Sequence, residues 1–249
     1  MHHWKKIVIC VVLLLLVCSR GAFAETLVAG VNDWQPWMRT QGAEADGIMV
    51  DIFTDAVQRA GYEPVVVVMP HKRRNVIEWG RSIHVEPGVL PEWRREYEEV
   101  SVYTIPFVTT RDIVLAKKGV LEPATSVEDF HGKRLGVTLG YYYPDGFSEA
   151  FESSSIIRDD SPAGPNLVQK LQLSRVHGAI MDKHEASYWI SQLSLKSEDF
   201  EFVYTFSLVS ELRMRLHPDK AHMLPALNAA LQEMLQEGAI RKIIASHLD

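Results

Sequence analysis

Residues 26–51 read TLVAGV NDWQPWM RTQGAEA DGIMVD, and three segments follow one another in that short space. Thr26 to Val31 has the apolar, β-branched composition of a strand. The next residues carry Trp34 and Trp37 around Gln35 and Pro36, a loop in composition. Asp46 and Gly47 then open a segment in which Ile48, Ile52, Ala56, Val57 and Ala60 fall on one helical face, with Gly61 as its stop. Rings on a loop that leaves the carboxyl end of a strand sit where open α/β sheets bind their ligands, and aromatic side chains there offer a flat, rigid wall. The same two rings would also suit a core position.

The alternation continues. Tyr62 to Met69 reads as a buried strand, His71 to Trp79 as a helix, Ile83 to Glu86 as a strand and Glu92 to Glu96 as a helical turn, with Val100–Phe107 and Arg111–Lys118 extended. After Gly119 the pattern starts afresh: Thr125 and Glu128 stand at capping-box spacing, Arg134–Thr138 is a strand, and a glycine-aromatic turn follows at Gly140–Tyr143. A strand near Ile156, a helix at Asn166–Leu173, a strand at Gly178–Met181 and a helix at Lys183–Ser191 come next. Phe202–Leu216 is extended, and Leu224, Leu227, Leu231 and Leu235 mark a last helix. Strands alternating with helical patterns make the class α/β, with a mainly parallel sheet.

Before this stretch, Lys5 and Lys6 precede an apolar run from Ile7 to Val17, and Ala22-Phe23-Ala24 supplies a small-x-small cleavage site. That is the pattern of an export signal over residues 1–24, cleaved after Ala24; the run is too short for a membrane-spanning helix, which needs about 20 residues. Cys18 would be a lipid-attachment cysteine only with a small residue before it, and Val17 stands there. Both cysteines, Cys10 and Cys18, lie in this segment, so the exported chain is expected to have no disulfide and no thiolate metal site. The full chain of 249 residues has 26 basic and 32 acidic residues, a formal charge of −6, and loss of Lys5, Lys6 and Arg20 makes it more acidic still. Such acidity disfavours nucleic acid and anionic membranes as partners.

In five places, taken in order, the sequence resembles the periplasmic solute-binding proteins of family 3, which serve polar amino-acid ABC transporters. Gly47–Ile52, with Asp51 at the acidic position, is similar to the family's opening glycine-x-x-x-aspartate segment. Pro91–Phe107 resembles its arginine-bearing turn followed by an aromatic, a hydroxyl residue and a proline, here Tyr103, Thr104 and Pro106. Ser126–Gly140 resembles the start of the second lobe, Arg175–Asp182 a strand ending on a ligand-facing aspartate, and Leu227, Asn228, Leu231 and Gly238 the closing helix. The resemblance implies a two-lobed periplasmic binding protein-like (type II) fold with two hinge-crossing strands. Lobe one would hold residues 25–112 plus 203–249, and lobe two residues 113–202. It also implies a monomeric periplasmic receptor that closes on its ligand without cofactor or covalent chemistry and delivers it to an ABC permease.

On that resemblance a ligand site is expected from Trp34, Trp37 and Tyr103 as apolar walls, Arg94 as the carboxylate fork, Asp182 for the ammonium, and the backbone at Gly140 and Tyr141. Arg95 competes with Arg94, because the distance to the following aromatic is longer than is usual in the family, and Asp182 also suits a helix cap. Arg73, in the basic cluster His71–Arg74, would read a second ligand carboxylate if it pointed inward. Tyr141 stands where the family commonly has a smaller hydroxyl residue, and His84 and Glu86 where it often has an aspartate; neither makes a metal-ligand pattern. Two other functions fit the same fold: a dehydratase for cyclohexadienyl acids, with Glu86, Glu185 or His184 as its acid, and a sensor presenting its ligand to a membrane receptor.

Overall fold

A computed structural model describes residues 24–139, 141, 143–162 and 164–248. Residues 1–23, with both cysteines, and Gly140 lie outside the described residues. The chain builds two sheets in separate lobes. In the first, the path runs β4 (Glu63–Val68), β1 (Thr26–Val31), β5 (Val85–Val89), β13 (Ser210–Leu216) and β6 (Val102–Tyr103), with β7 (Val108–Thr110) also on β13. In the second it runs β10 (Ile157–Ser161), β9 (Arg134–Thr138), β11 (Gly178–Asp182), β8 (Asp112–Lys117) and β12 (Phe200–Thr205). A hairpin of β2 (Arg39–Gln41) and β3 (Glu44–Asp46) stands apart. The chain passes between sheets twice, at Arg111 from β7 to β8 and at residues 206–209 from β12 to β13.

Both sheets are mixed rather than mainly parallel. β1 runs parallel to β4 and β5, and β9 to β10 and β11, whereas β13 runs antiparallel to β5 and β8 antiparallel to both β11 and β12. The antiparallel strands are those flanking the two crossings, where the chain turns back rather than passing through a helix. β1 lies inside its sheet, and Leu27, Ala29 and Val31 are fully buried. Helices α1 (Ile48–Arg59), α5 (Leu224–Gln236) and α6 (Ala239–Leu248) pack together, with Ile52, Phe53, Leu227, Leu231 and Met234 buried in one core. The second sheet is covered on both faces: one core is centred on Phe130, Phe147 and Phe206 with α2 (Phe147–Glu152), and the other on Leu167, Leu171 and Ile190 with α3 (Gly164–Gln172) and α4 (Lys183–Gln192).

Three local expectations change. β4 is an edge strand and only half-buried, because no strand pairs on its far side. The capping box sits one residue later than expected, with Ser126 as cap and Asp129 as its reciprocal partner; the Asp129 carboxylate accepts from Ser126 N at 3.1 Å and from Thr125 N at 2.8 Å. After His71–Arg73 the helical turn widens into a π-type coil over Arg74–Glu78, ending before Trp79. Among the described residues no helix is long and apolar enough to cross a membrane.

Candidate functional site

The loop after β1 is shaped by its own backbone: Trp34 N donates to Met38 O at 2.8 Å and Met38 N to Trp34 O at 2.9 Å. It then rests on the start of α1, where Met49 N donates to Trp37 O at 2.8 Å. Gly47 makes this approach available. Its φ is 116°, and a Cβ there would stand 2.9 Å from Trp37 O. The loop so held packs Trp34 against Trp37 at 5.7 Å between ring centroids and edge-on against Trp93 at 5.8 Å. Trp37 is fully buried, whereas Trp93 is exposed.

This aromatic group reaches the second lobe. Trp37 meets the His184 ring edge-on at 5.3 Å, and the Tyr188 hydroxyl donates to Gln35 Oε1 at 2.9 Å. Both His184 and Tyr188 lie on α4, directly after β11. Asp182 closes β11 and caps α4: its Oδ1 accepts from His184 N at 2.9 Å and Glu185 N at 3.0 Å, and its Oδ2 accepts from the Thr110 hydroxyl at the first crossing. Asp182 stands opposite Asp112 in the β8–β11 ladder. Like charges directly opposed on paired strands repel, and desolvation together with Asp182 pushes the Asp112 carboxyl up to about 6. Glu185 completes the acidic wall. Desolvation, reinforced by Asp182 and Asp112, pushes its carboxyl up to about 8 against the opposing hydrogen-bond donor Trp189. A side chain at Gly164 would collide with Glu185 Oε1, so the glycine at the start of α3 leaves room for that carboxyl.

A second cluster, in lobe one, is cationic. Glu86, on β5, is buried with Arg74 and Arg215, which are 1% and 0% exposed. Arg94 binds Glu86 side-on, Nε to Oε2 at 2.9 Å and Nη2 to Oε1, while its Nη1 donates to Trp93 O at 2.8 Å. Arg74 donates to Glu86 Oε1, to Gly30 O at 3.0 Å and to Asn32 Oδ1 at 3.0 Å. Arg215 Nη1 stands 3.5 Å from Glu86 Oε2, and its guanidinium stacks on Trp79 at 3.8 Å from the ring centroid. Burial opposes the charge on Glu86, but Arg74, Arg94 and Arg215 outweigh it and hold the carboxyl below the ordinary glutamate value. Tyr141, exposed, lies within electrostatic reach of Glu185, Asp112 and Arg94.

Of the residues expected from sequence, Trp34 and Trp37 belong to the aromatic group that meets His184, Asp182 caps α4, and Arg94 is held on Glu86; Trp37 is fully buried and so packs as core. Tyr103 lies beside Arg215 in the β6–β13 pairing and backs the cationic cluster. Arg73 is exposed and bonded to Glu78 at 3.1 Å, away from this group, and Arg95 is exposed next to half-buried Arg94. Sequence reading missed Arg74, Arg215 and Asp112. A signal existed for Arg215: Leu212, Met214 and Leu216 alternate into the core, which throws residues 213 and 215 to the other face of β13.

No protein-family model and no curated protein matches this sequence. Solved structures do. An ancestral arginine-binding protein bound to arginine superposes with a TM-score of 0.69 at 18% identity, covering 91% of this chain and 100% of that one. The fold is that of the periplasmic binding proteins. An amino acid ABC transporter substrate-binding protein from Streptococcus pneumoniae bound to L-arginine gives a TM-score of 0.66 at 17% identity over 90% of this chain and 94% of that one. A histidine kinase sensor domain with similarity to periplasmic binding proteins gives 0.70 at 16% identity over 91% and 97%.

Proposed function

We propose that this chain is a substrate-binding receptor that captures a polar amino acid between its two lobes, residues 25–112 plus 203–249 and residues 113–202. In this reading it is exported to the periplasm behind a signal peptide cleaved after Ala24, and it delivers its ligand to an ABC permease by reversible binding without covalent chemistry. The observation that carries the reading is the opposition of charge across an aromatic cleft. The lobe-one cluster has three arginines to one carboxylate, and the lobe-two wall has three carboxylates, of which Asp112 and Glu185 have no cationic partner among the described residues. An amino acid answers both: its carboxylate goes to Arg94 and its ammonium to Asp182, with Trp34 and Trp93 beneath it and Trp37 packed behind them. Asp112, without a cationic partner among the described residues, favours a basic amino acid. Structural relatives bound to arginine and to glutamine support the class.

The test is a thermal-shift screen of residues 25–249, unfolded and refolded first to strip carried-over ligand, against the common L-amino acids, polyamines and dicarboxylates. A ligand at 100 times its Kd stabilises the native state by about 2.7 kcal/mol, readily visible as a raised Tm. A response to L-arginine or L-lysine supports the reading; no response to any amino acid overturns it. One observation favours a second reading. Glu185, with its carboxyl at about 8, is a protonated acid at neutral pH in the cleft, as a dehydratase would need. Consumption of a cyclohexadienyl acid by the refolded protein, abolished in Glu185→Gln, would establish that activity instead.

A further inference from the structure

The buried cluster around Glu86 has a geometry that a folding ion pair does not require. A guanidinium carries five N–H donors. In Arg94, Nε and one N–H of Nη2 go to Glu86 and one N–H of Nη1 goes to Trp93 O. One N–H on Nη1 and one on Nη2 are left. The Arg94 side chain is 11% exposed, so this residue alone of the three arginines reaches solvent, while Arg74 and Arg215 at 1% and 0% stay buried with Glu86. Those two are over-supplied with donors: Arg74 Nε and Arg215 Nη2 are buried without an acceptor. Three cations on one anion leave an excess of positive charge in a dry environment, which a second anion at Arg94 would offset.

We propose that Glu86 is a positioning residue for ligand recognition: clamped from behind by Arg74 and Arg215, it holds Arg94 side-on so that the free end-on edge of the guanidinium receives the carboxylate of the bound amino acid. This rests on the receptor reading above and deepens it. Glu86 does not touch the ligand; it turns a flexible arginine into a fixed fork, in a cluster whose three cations still outnumber its one anion. The ligand is therefore required to be anionic at this end.

The experiment is calorimetric titration of wild type, Glu86→Gln and Glu86→Asp with the common L-amino acids and with the amide of whichever binds. Glu86→Asp keeps the charge and shortens the arm by one methylene, so it remains informative if Glu86→Gln does not fold. Wild type should prefer the acid over its amide. The variants should bind the acid more weakly, by about tenfold or more for Glu86→Gln and by less for Glu86→Asp, with amide affinity unchanged, so that the acid-to-amide ratio collapses. Equal loss for acid and amide means a merely structural role and overturns the proposal, as does unchanged acid affinity. A wild type that binds no amino acid overturns the receptor reading and this proposal with it, whereas a wild type that binds and variants that match it overturn only the role of Glu86.

Discussion

The Tyr188 hydroxyl donates to Gln35 Oε1 over 2.9 Å, joining α4 of the second lobe to the tryptophan loop of the first. Together with the edge-on contact of Trp37 and His184, it is a direct tie across the cleft. A ligand held between closed lobes benefits from every such tie, because opening must break it. Tyr188→Phe keeps the ring and removes the donor. About 1 kcal/mol of closure is lost, and ligand dissociation should quicken about fivefold with little change in Tm of the ligand-free protein. Stopped-flow release kinetics measure this; an unchanged off-rate would show that the bond does not report on closure.

Asp182 has two structural duties, capping α4 and accepting from Thr110, beside the ligand contact proposed for it. Asp182→Asn keeps an acceptor for the cap and removes the charge. Stability should fall by no more than about 1 kcal/mol, while affinity for an amino acid falls by at least about tenfold. Chemical denaturation and calorimetry read the two separately. A loss of stability with full affinity would assign Asp182 to the cap alone.

The pH dependence of the ligand-free protein follows from the acidic wall. Desolvation, with Asp182, raises the Glu185 carboxyl from 4.5 to about 8, and the same two causes raise Asp112 from 3.8 to about 6. A carboxyl raised in the folded state contributes stability that is complete below its unfolded value and is lost as pH rises through its folded value. Ligand-free Tm should therefore decline from about pH 5 to about pH 8, and Glu185→Gln should flatten that decline. Denaturation curves at pH 5, 6.5 and 8 check it; a Glu185→Gln protein with the wild-type slope would refute the assignment.

Binding has the complementary sign. A ligand cation beside Asp112 and Glu185 favours their charged forms, so protons leave on binding near neutral pH. Titration in two buffers of different ionisation enthalpy should reveal net proton release at pH 7, and affinity should rise from pH 5 to pH 8. Proton uptake would mean that the ligand presents no cation to this wall.

Much of this architecture was legible from pattern. Arg134–Thr138 is a strand with those same bounds, the helix expected at 47–60 is Ile48–Arg59, and the strand before Asp182 and the helix after it meet where the apolar run ends. What pattern lacks is the third dimension. Neighbouring arginines look alike in sequence, yet about 100° of helical rotation separates Arg73, bonded to Glu78 in solvent, from Arg74, buried on Glu86. Ser126–Asp129 and Thr125–Glu128 share one spacing, and only the backbone decides which pair closes the box. Asp112 is unremarkable until the β8–β11 register sets it against Asp182. Such pairings between distant segments come from strand register, which a local window does not contain.

The central claim is that an amino acid spans the cleft, carboxylate to Arg94 and ammonium to the acidic wall. The most direct measurement compares, by calorimetry on refolded protein, the amino acid that binds with its amide and its N-acetyl derivative. Each blocked form should bind at least about tenfold more weakly than the free amino acid. An N-acetyl derivative that binds as tightly as the free amino acid would contradict it.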